Sequence, residues 1–376
     1  MFRTKLKTRL LEDGSIELID PDIESIELLQ IINPDFKIKH KELDNFAQPR
    51  FQVAKKLYLD IATNELLNIA TEKLWDIHDS GVENLLRQES PMKIGISLLD
   101  IKIELTKRVL KECRLCGREC KVNRLLGERG ICGVGVDSSV GEYFVHIAEE
   151  APVNPSININ LQGCGLRCRF CQRAELIEPD GNGIPLSPEL WKDLSVEHAK
   201  SLSFVGGNPD ESLYSILCFL AFAPEGFSKP IVWNSNGYAS RIVYKLLHGI
   251  VDAYIPDMKF YSKKCSKSLA GCENYFEIFK EGISEMVTQD IPIFVRMLVI
   301  PGHLECCHFP LINYLSRYKQ RVKLNILGQY YPDYIITEKD SLLNQRPTLQ
   351  EVEYARNYAM RLGGSEWLIT NEYERR

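Results

Sequence analysis

Ser156-Ile-Asn-Ile-Asn-Leu-Gln-Gly-Cys164-Gly-Leu-Arg-Cys168-Arg-Phe-Cys171-Gln172 joins two patterns that rarely stand so close. From Ser156 to Leu161 polar and apolar residues alternate as in a strand. Three cysteines follow, spaced by three and then two residues, with Gly163 and Gly165 flanking the first. Thiolates at that spacing can hold three corners of a cubane iron–sulfur cluster. Such clusters normally take four Cys ligands. A loop that supplies three leaves one iron with an open position, as open catalytic metal sites do and closed structural ones do not. Cysteines at i, i+4 and i+7 would also line one stripe of a helix as plain buried thiols. The glycines and the intervening Arg167 and Arg169 suit a loop around a cluster better.

Beyond Ser156, short apolar stretches alternate with helical ones. Strands are expected at Ser156–Leu161, Ser201–Val205, Pro230–Trp233, Ala253–Pro256, Pro292–Val299 and Val322–Leu327. Helices are expected at Glu211–Phe222, Ser240–His248, Tyr275–Thr288, Pro310–Tyr318 and Leu349–Leu362. Repeated βα units imply an α/β fold with a parallel sheet. Six units fall short of the eight that close a full barrel, so the expected architecture is a partial (β/α)6 barrel. An open Rossmann-like sheet is the alternative, but no GxGxxG follows the first strand.

Upstream, Leu98, Ile101, Leu105 and Val109 recur at helical spacing and lead into a second cysteine group. Cys113, Cys116, Cys120 and Cys132 form a complete ligand set, read as an auxiliary site that is structural or electron-relaying. Zinc and a second [4Fe–4S] cluster fit that spacing equally well. Residues 1–95 carry no Cys and read as a separate helical or α+β extension of unreadable role, with a strand at Ser15–Asp20 and helical patterning from Val53 to Arg87. The divisions are thus 1–95, 96–150 for the helix and four-Cys segment, and 151–376 for the barrel.

The 376 residues carry 44% hydrophobic and 26% charged side chains, ordinary for a globular protein. A net charge of −5 gives no footprint for nucleic acid. The longest apolar run, Leu213 to Ala223, is too short for a membrane span and is broken by Tyr214 and Ser215. The first residues, Met1 to Lys7, lack a signal-like apolar stretch, so a cytoplasmic location is expected. In that compartment 12 cysteines point to metal ligation and not to disulfides. Cys218, Cys265, Cys272, Cys306 and Cys307 fall outside both groups and receive no role, nor do His303 and Glu305 beside the Cys pair.

The CxxxCxxC loop followed by Gln172, with the pattern behind it, resembles the radical S-adenosylmethionine (SAM) enzymes, most of all proteins related to pyruvate formate-lyase activating enzymes. The resemblance runs from about Cys113 to the C-terminus. It implies an oxidoreductase with a [4Fe–4S] cluster on Cys164, Cys168 and Cys171, whose open iron binds SAM and delivers an electron that cleaves it to a 5′-deoxyadenosyl radical. It further implies an external electron donor such as a flavodoxin or ferredoxin, and a protein substrate, the backbone glycine of a glycyl-radical enzyme. For SAM contacts it points to Phe170 in the loop, Gly206, Gly207 and Asn208 in the GGNP run, Asn234 and Asn236 after the third strand, Asp257 and Lys259 after the fourth, and Arg296 in the fifth. In the family's GGxP run an acid usually stands where this chain has Asn208. Arg296 has a second reading, a structural ion pair with a neighbouring strand, because a charge in an apolar strand is costly unless paired. The rival functions are a non-catalytic two-cluster electron carrier, which would need a fourth ligand such as Cys218 or Cys265, and a zinc scaffold.

Overall fold

The computed structural model describes residues 7–10, 16–19, 48–62, 64–87 and 94–370. Strands β1 (Lys7–Leu10) and β2 (Ile16–Ile19) pair antiparallel; Ser15 and Asp20, the expected ends of the latter strand, lie outside the described residues. Helices α1 (Arg50–Lys56) and α2 (Thr71–Arg87) are separate, not one helical run. The chain leaves α1 at Leu57, and β3 (Tyr58–Leu59) pairs with β4 (Ile96–Ser97). Burial of Leu57 and Leu59 fixes this extended segment where helical spacing alone would have continued. Ser97 then opens α3 (Leu98–Val109) with a capping box, its side chain on the Asp100 amide and the Asp100 carboxylate on its own.

A six-stranded sheet follows, in the order β10-β9-β8-β6-β5-β7. It comprises β5 (Ser139–His146), β6 (Ser156–Leu161), β7 (Ile184–Pro185), β8 (Ser201–Gly206), β9 (Ile231–Ser235) and β10 (Ala253–Pro256). The run β6-β8-β9-β10 is parallel, whereas β5 pairs antiparallel with both β6 and β7. β11 (Phe294–Leu298) and β12 (Lys323–Leu327) form their own parallel pair, joined to β10 by the bridges Tyr254 to Ile293 and Asp257 to Arg296. Six strands therefore run parallel in chain order, as expected, but among the described residues no pairing closes them into a barrel. The antiparallel β5 was not anticipated. It covers the edge of β6 that an all-parallel reading leaves open.

Helices α4 (Leu213–Ala221), α5 (Arg241–Leu247), α6 (Lys263–Ala270), α7 (Tyr275–Met286), α8 (Phe309–Leu315) and α9 (Leu349–Gly363) link or follow these strands. Successive side chains in a strand point to opposite faces. Ile157, Ile159, Leu202, Phe204, Trp233, Val295, Met297, Leu324 and Ile326 share one core with helix residues such as Leu217, Val243, Ile283 and Ala355. The opposite face is polar and equally buried: Asn158, Asn160, Ser203, Asn234 and Asn325 lie there, beside a small apolar cluster of Val153, Val232, Ala253, Ile255 and Phe294. A helix-covered apolar face thus backs a sequestered polar one, and the polar face is where chemistry can be housed.

Candidate functional site

The cysteine loop leaves the end of β6 and is fixed from three sides. Gly163 donates its amide to Leu176 O at 2.8 Å. Arg167 and Arg169 donate theirs to Ala270 O and Leu269 O at the end of α6, at 3.0 and 2.8 Å. From the four-Cys segment, the Arg118 guanidinium donates through Nε to Gly165 O at 2.7 Å and through Nη1 to Gly271 O at 2.5 Å. Cys164 and Cys168 are 8% and 9% exposed and Cys171 is half-buried; all three are free thiols.

Burial pushes the Cys168 thiol up to about 12, although Lys259 pulls the other way, and burial followed by the Glu211 carboxylate raises Cys164 well above the ordinary thiol range. Such sulfurs ionise only with a cation to replace the proton, which is what a metal ligand does. The loop already supplies donors for the charged form. The Leu166 amide bonds the Cys164 sulfur and the Arg173 amide that of Cys171, each from two residues on. The four-Cys segment repeats this arrangement: Leu115 on Cys113, Arg118 on Cys116, and Val134 on Cys132. A donor set of buried thiols with amides aimed at their sulfurs fits an iron–sulfur cluster.

Behind the loop sits a buried polar network. Asn236 donates from Nδ2 to the Cys164 sulfur at 3.4 Å, and its own amide donates to Asn208 Oδ1 at 2.9 Å. Asn208 Nδ2 in turn donates to Asp210 Oδ2 at 2.9 Å and Glu211 Oε2 at 2.5 Å. Glu211 Oε1 accepts the Gly165 amide at 2.8 Å, and Asp210 Oδ1 accepts Trp233 Nε1 at 2.7 Å. Burial, then the neighbouring Glu211, pushes Asp210 up to about 7, and burial likewise raises Glu211. The pair therefore retains a proton near neutral pH, since two adjacent buried carboxylates cannot both ionise cheaply. The residues Asp210 and Glu211 carried no signal in the sequence beyond opening an expected helix.

The residues singled out for SAM fall into two groups. Phe170 is buried beneath the loop against Phe260 and Tyr330, with ring centroids 6.2 and 5.8 Å away. Gly206, at φ +103°, and Gly207 make close backbone contact, but with this chain. A Cβ on Gly207 would stand 2.5 Å from both Gly163 O and Leu176 O. Asn208 and Asn236 spend their amides on the network just described, and Asn234 is buried on the polar face. The second group gathers charge. Lys259 Nζ pairs with Asp257 Oδ2 at 2.6 Å. Burial works against the Lys259 charge, but Asp257 and Cys168 outweigh it and hold the ammonium above its usual range. Arg296 donates through Nε to Glu150 Oε1 at 2.8 Å and through Nη2 to Glu150 Oε2 at 2.7 Å, and also pairs with Glu149. Its guanidinium thus meets carboxylates from the β5–β6 connection, not a neighbouring strand, and Asn325 Nδ2 supports Glu150 Oε1 at 2.8 Å.

Cys113, Cys116, Cys120 and Cys132 lie near one another in pairs, but no three of their sulfurs lie within 4.8 Å of one another. Cys113 meets the Cys120 thiol, Cys132 lies near enough to raise Cys116, and Gly130 packs so closely that its Cβ would lie 2.6 Å from Cys120 Sγ. The segment is docked on the end of β9 through the Gly117 amide to Tyr238 O and the Ser240 amide to Leu115 O, at 2.9 and 3.0 Å. Arg124, 2% exposed, donates to Cys132 Sγ at 3.4 Å and to Glu211 O at 2.6 Å, so one guanidinium touches both the four-Cys group and the buried acids. Sequence reading missed two neighbours. Cys272, set aside as incidental, lies by Tyr238 and Arg118, close enough to raise the Cys168 thiol. The segment after β12 closes over the loop through the Ile335 amide on Arg169 O at 3.2 Å and the Arg169–Asp340 ion pair at 2.7 Å. Cys218 lies on α4 beside Tyr214, and Cys265 lies 3.7 Å from Cys306.

No family model matches the chain. The uncharacterized protein MJ0674 of Methanocaldococcus jannaschii is 32% identical over 324 residues, spanning 83% of this chain and 93% of that protein. The 7-carboxy-7-deazaguanine synthase of Aquifex aeolicus is 28% identical over 147 residues, 34% of this chain and 66% of the enzyme. Among solved structures, TYW1 with a lysine-pyruvate adduct bound aligns at a TM-score of 0.37 and 15% identity, covering 55% of this chain and 73% of its own. Streptococcus suis SuiB bound to the precursor peptide SuiA aligns at a TM-score of 0.36 and 13% identity, covering 53% and 44%. Likeness at that level carries no weight for fold or function.

Proposed function

We propose that this chain, which belongs to the family of the Methanocaldococcus jannaschii protein MJ0674, is a radical SAM enzyme in which Cys164, Cys168 and Cys171 hold a [4Fe–4S] cluster. The observation that carries the reading is the loop itself: three free, largely buried thiols at the end of a parallel strand, two of them receiving backbone amides. The local sequence match to 7-carboxy-7-deazaguanine synthase is consistent with it. A cluster held there would supply the electron for reductive cleavage of SAM and, through it, hydrogen abstraction.

The chain's own groups have distinct tasks in this reading. Asn236 and the Leu166 amide hold the Cys164 thiolate. The Asp257–Lys259 pair offers a cation to the SAM carboxylate, with Arg296 bracing Asp257 from the next strand. By the family resemblance Gly206, Gly207 and Asn208 would receive the SAM amino group and Asn234 the ribose. Phe170 and the segment after β12 keep water from the loop. The four-Cys group holds a second metal, zinc or a [4Fe–4S] cluster, and Arg124 couples it mechanically to the active loop. At the finer level the resemblance to glycyl-radical activating enzymes gives the substrate as a protein backbone glycine and the reductant as a flavodoxin or ferredoxin.

Anaerobic reconstitution followed by iron and sulfide analysis tests the ligand assignment. Wild type should carry about four irons more than Cys168→Ala, and the variant's remaining metal should belong to the four-Cys group. Equal iron in both would overturn the assignment.

A further inference from the structure

A third cluster of metal-ligating groups lies outside both cysteine sets. Cys265 Sγ, Cys306 Sγ and a ring nitrogen of His303 all lie within 4.8 Å of one another. Cys265 stands in the first turn of α6, its amide turned toward the Ser262 hydroxyl that caps the helix. Cys306 stands in the π-helical turn Leu304–His308 that follows β11. Such turns are rare and gather at functional sites. The two neighbouring cysteines part company there. Cys307 is 1% exposed and its sulfur accepts the Tyr261 and Ser262 amides, while Cys306 is exposed and reaches Cys265.

Three details fit a metal. The Cys265 and Cys306 sulfurs are 3.7 Å apart. Two thiolates on one tetrahedral zinc, each with a Zn–S bond of about 2.3 Å, should stand about 3.8 Å apart. The same separation is far beyond the roughly 2.05 Å of a disulfide. His303 is also oriented for ligation. Its Nδ1 lies 2.8 Å from Pro301 O, and since a carbonyl only accepts, Nδ1 carries the proton and Nε2 keeps its lone pair. A backbone carbonyl on the second ring nitrogen is the usual way a ligating imidazole is held.

We propose that Cys265, His303 and Cys306 bind one Zn²⁺, with water in an exchangeable fourth position at the protein surface. Two thiolates and an imidazole suit a borderline-soft ion, and three protein ligands define an open site and not a closed structural one. The site draws on none of the residues assigned to the iron–sulfur cluster or to SAM. Yet α6, which carries Cys265 in its first turn, also gives the Leu269 and Ala270 carbonyls to the cysteine loop. Metal bound between α6 and the π-helical turn therefore tethers an element that positions that loop.

The test is a Co²⁺ and Zn²⁺ titration of the full-length, chelator-treated chain under anaerobic conditions, compared across variants so that the four-Cys group contributes equally. Wild type and the remote Cys218→Ser should bind one more equivalent than Cys306→Ser, with thiolate-to-cobalt absorption lost in step. His303→Ala should weaken that equivalent at least about tenfold. Equal stoichiometry in wild type, Cys306→Ser and His303→Ala, or a Cys265–Cys306 disulfide in anaerobically purified protein, would overturn the proposal. Because the readout is zinc and cobalt, and the cluster assignment is read from iron and sulfide, the two fail separately.

Discussion

The side-chain amide of Asn236 donates to the Cys164 sulfur from 3.4 Å while Asn208 Oδ1 holds its backbone amide at 2.9 Å. One residue at the end of β9 therefore joins a candidate cluster ligand to the buried Asp210–Glu211 pair. Hydrogen bonds to cluster sulfurs favour the reduced, more negative state. Removing one should cost about 1 kcal/mol of that preference, or on the order of 40 mV for a one-electron couple. Asn236→Ala is expected to assemble its cluster and titrate at a lower potential by EPR-monitored reduction. An unchanged potential would mean the amide does not act on the cluster.

Arg296 pairs with Glu149 and Glu150, whose side chains are 3% and 0% exposed. Burial would raise the Glu149 carboxyl, but Arg296 and then His146 hold it well below the usual carboxylate range. Arg296→Met leaves these charges uncompensated and should destabilise the fold by about 3–5 kcal/mol, read as a lower denaturation midpoint. Adding Glu150→Gln should recover part of the loss. A stable Arg296→Met protein that has merely lost SAM affinity would show that the guanidinium serves the ligand instead.

Asp252 accepts the Arg50 amide at 3.0 Å and the Ile231 amide at 2.7 Å, pinning α1 to the start of β9. Burial pushes its carboxyl up to about 7 despite those bonds. Its folded value exceeds the unfolded one, so the native state holds the extra proton between about pH 4 and 7. The stability it contributes is present below pH 4 and lost as pH rises through 7. Asp252→Asn cannot ionise. Its deficit relative to wild type should therefore shrink as pH rises from 5 to 8 in urea denaturation, whereas a pH-independent deficit would mean the carboxyl is not perturbed.

Gly207 admits no side chain, because its Cβ would press on two backbone carbonyls 2.5 Å away, whereas nothing lies within 4 Å of a Cβ at Gly226. Gly207→Ala should shift the cysteine loop and lower iron retention after reconstitution. Gly226→Ala should retain wild-type iron. Equal iron in the two would show that the GGNP turn does not support the loop.

Much of the parallel-stranded half was legible because short apolar strands alternate there with helices of period 3.6; the expected β6 and β10 match the observed bounds. The less legible parts depend on long-range contacts. Leu57 and Leu59 suit a helix until β4 arrives to pair with them, and β5 reveals itself only beside β6. Asp210 and Glu211 look like an ordinary first turn, and their importance comes from burial and from Gly165, 46 residues away from Glu211. Cys265 and Cys306 are 41 residues apart and meet only because successive strands lie side by side. Charge in an apolar strand did mark Arg296 as needing a partner, but it could not name Glu149 and Glu150.

Radical chemistry at the cysteine loop is tested most directly by the products of SAM under strong reduction. Anaerobically reconstituted wild type, given SAM and dithionite, should form 5′-deoxyadenosine and methionine by mass-resolved chromatography, and Cys168→Ala should form neither. Equal 5′-deoxyadenosine from wild type and Cys168→Ala, or intact SAM that fails to bind a cluster of verified iron content, would contradict the assignment of this loop to radical chemistry.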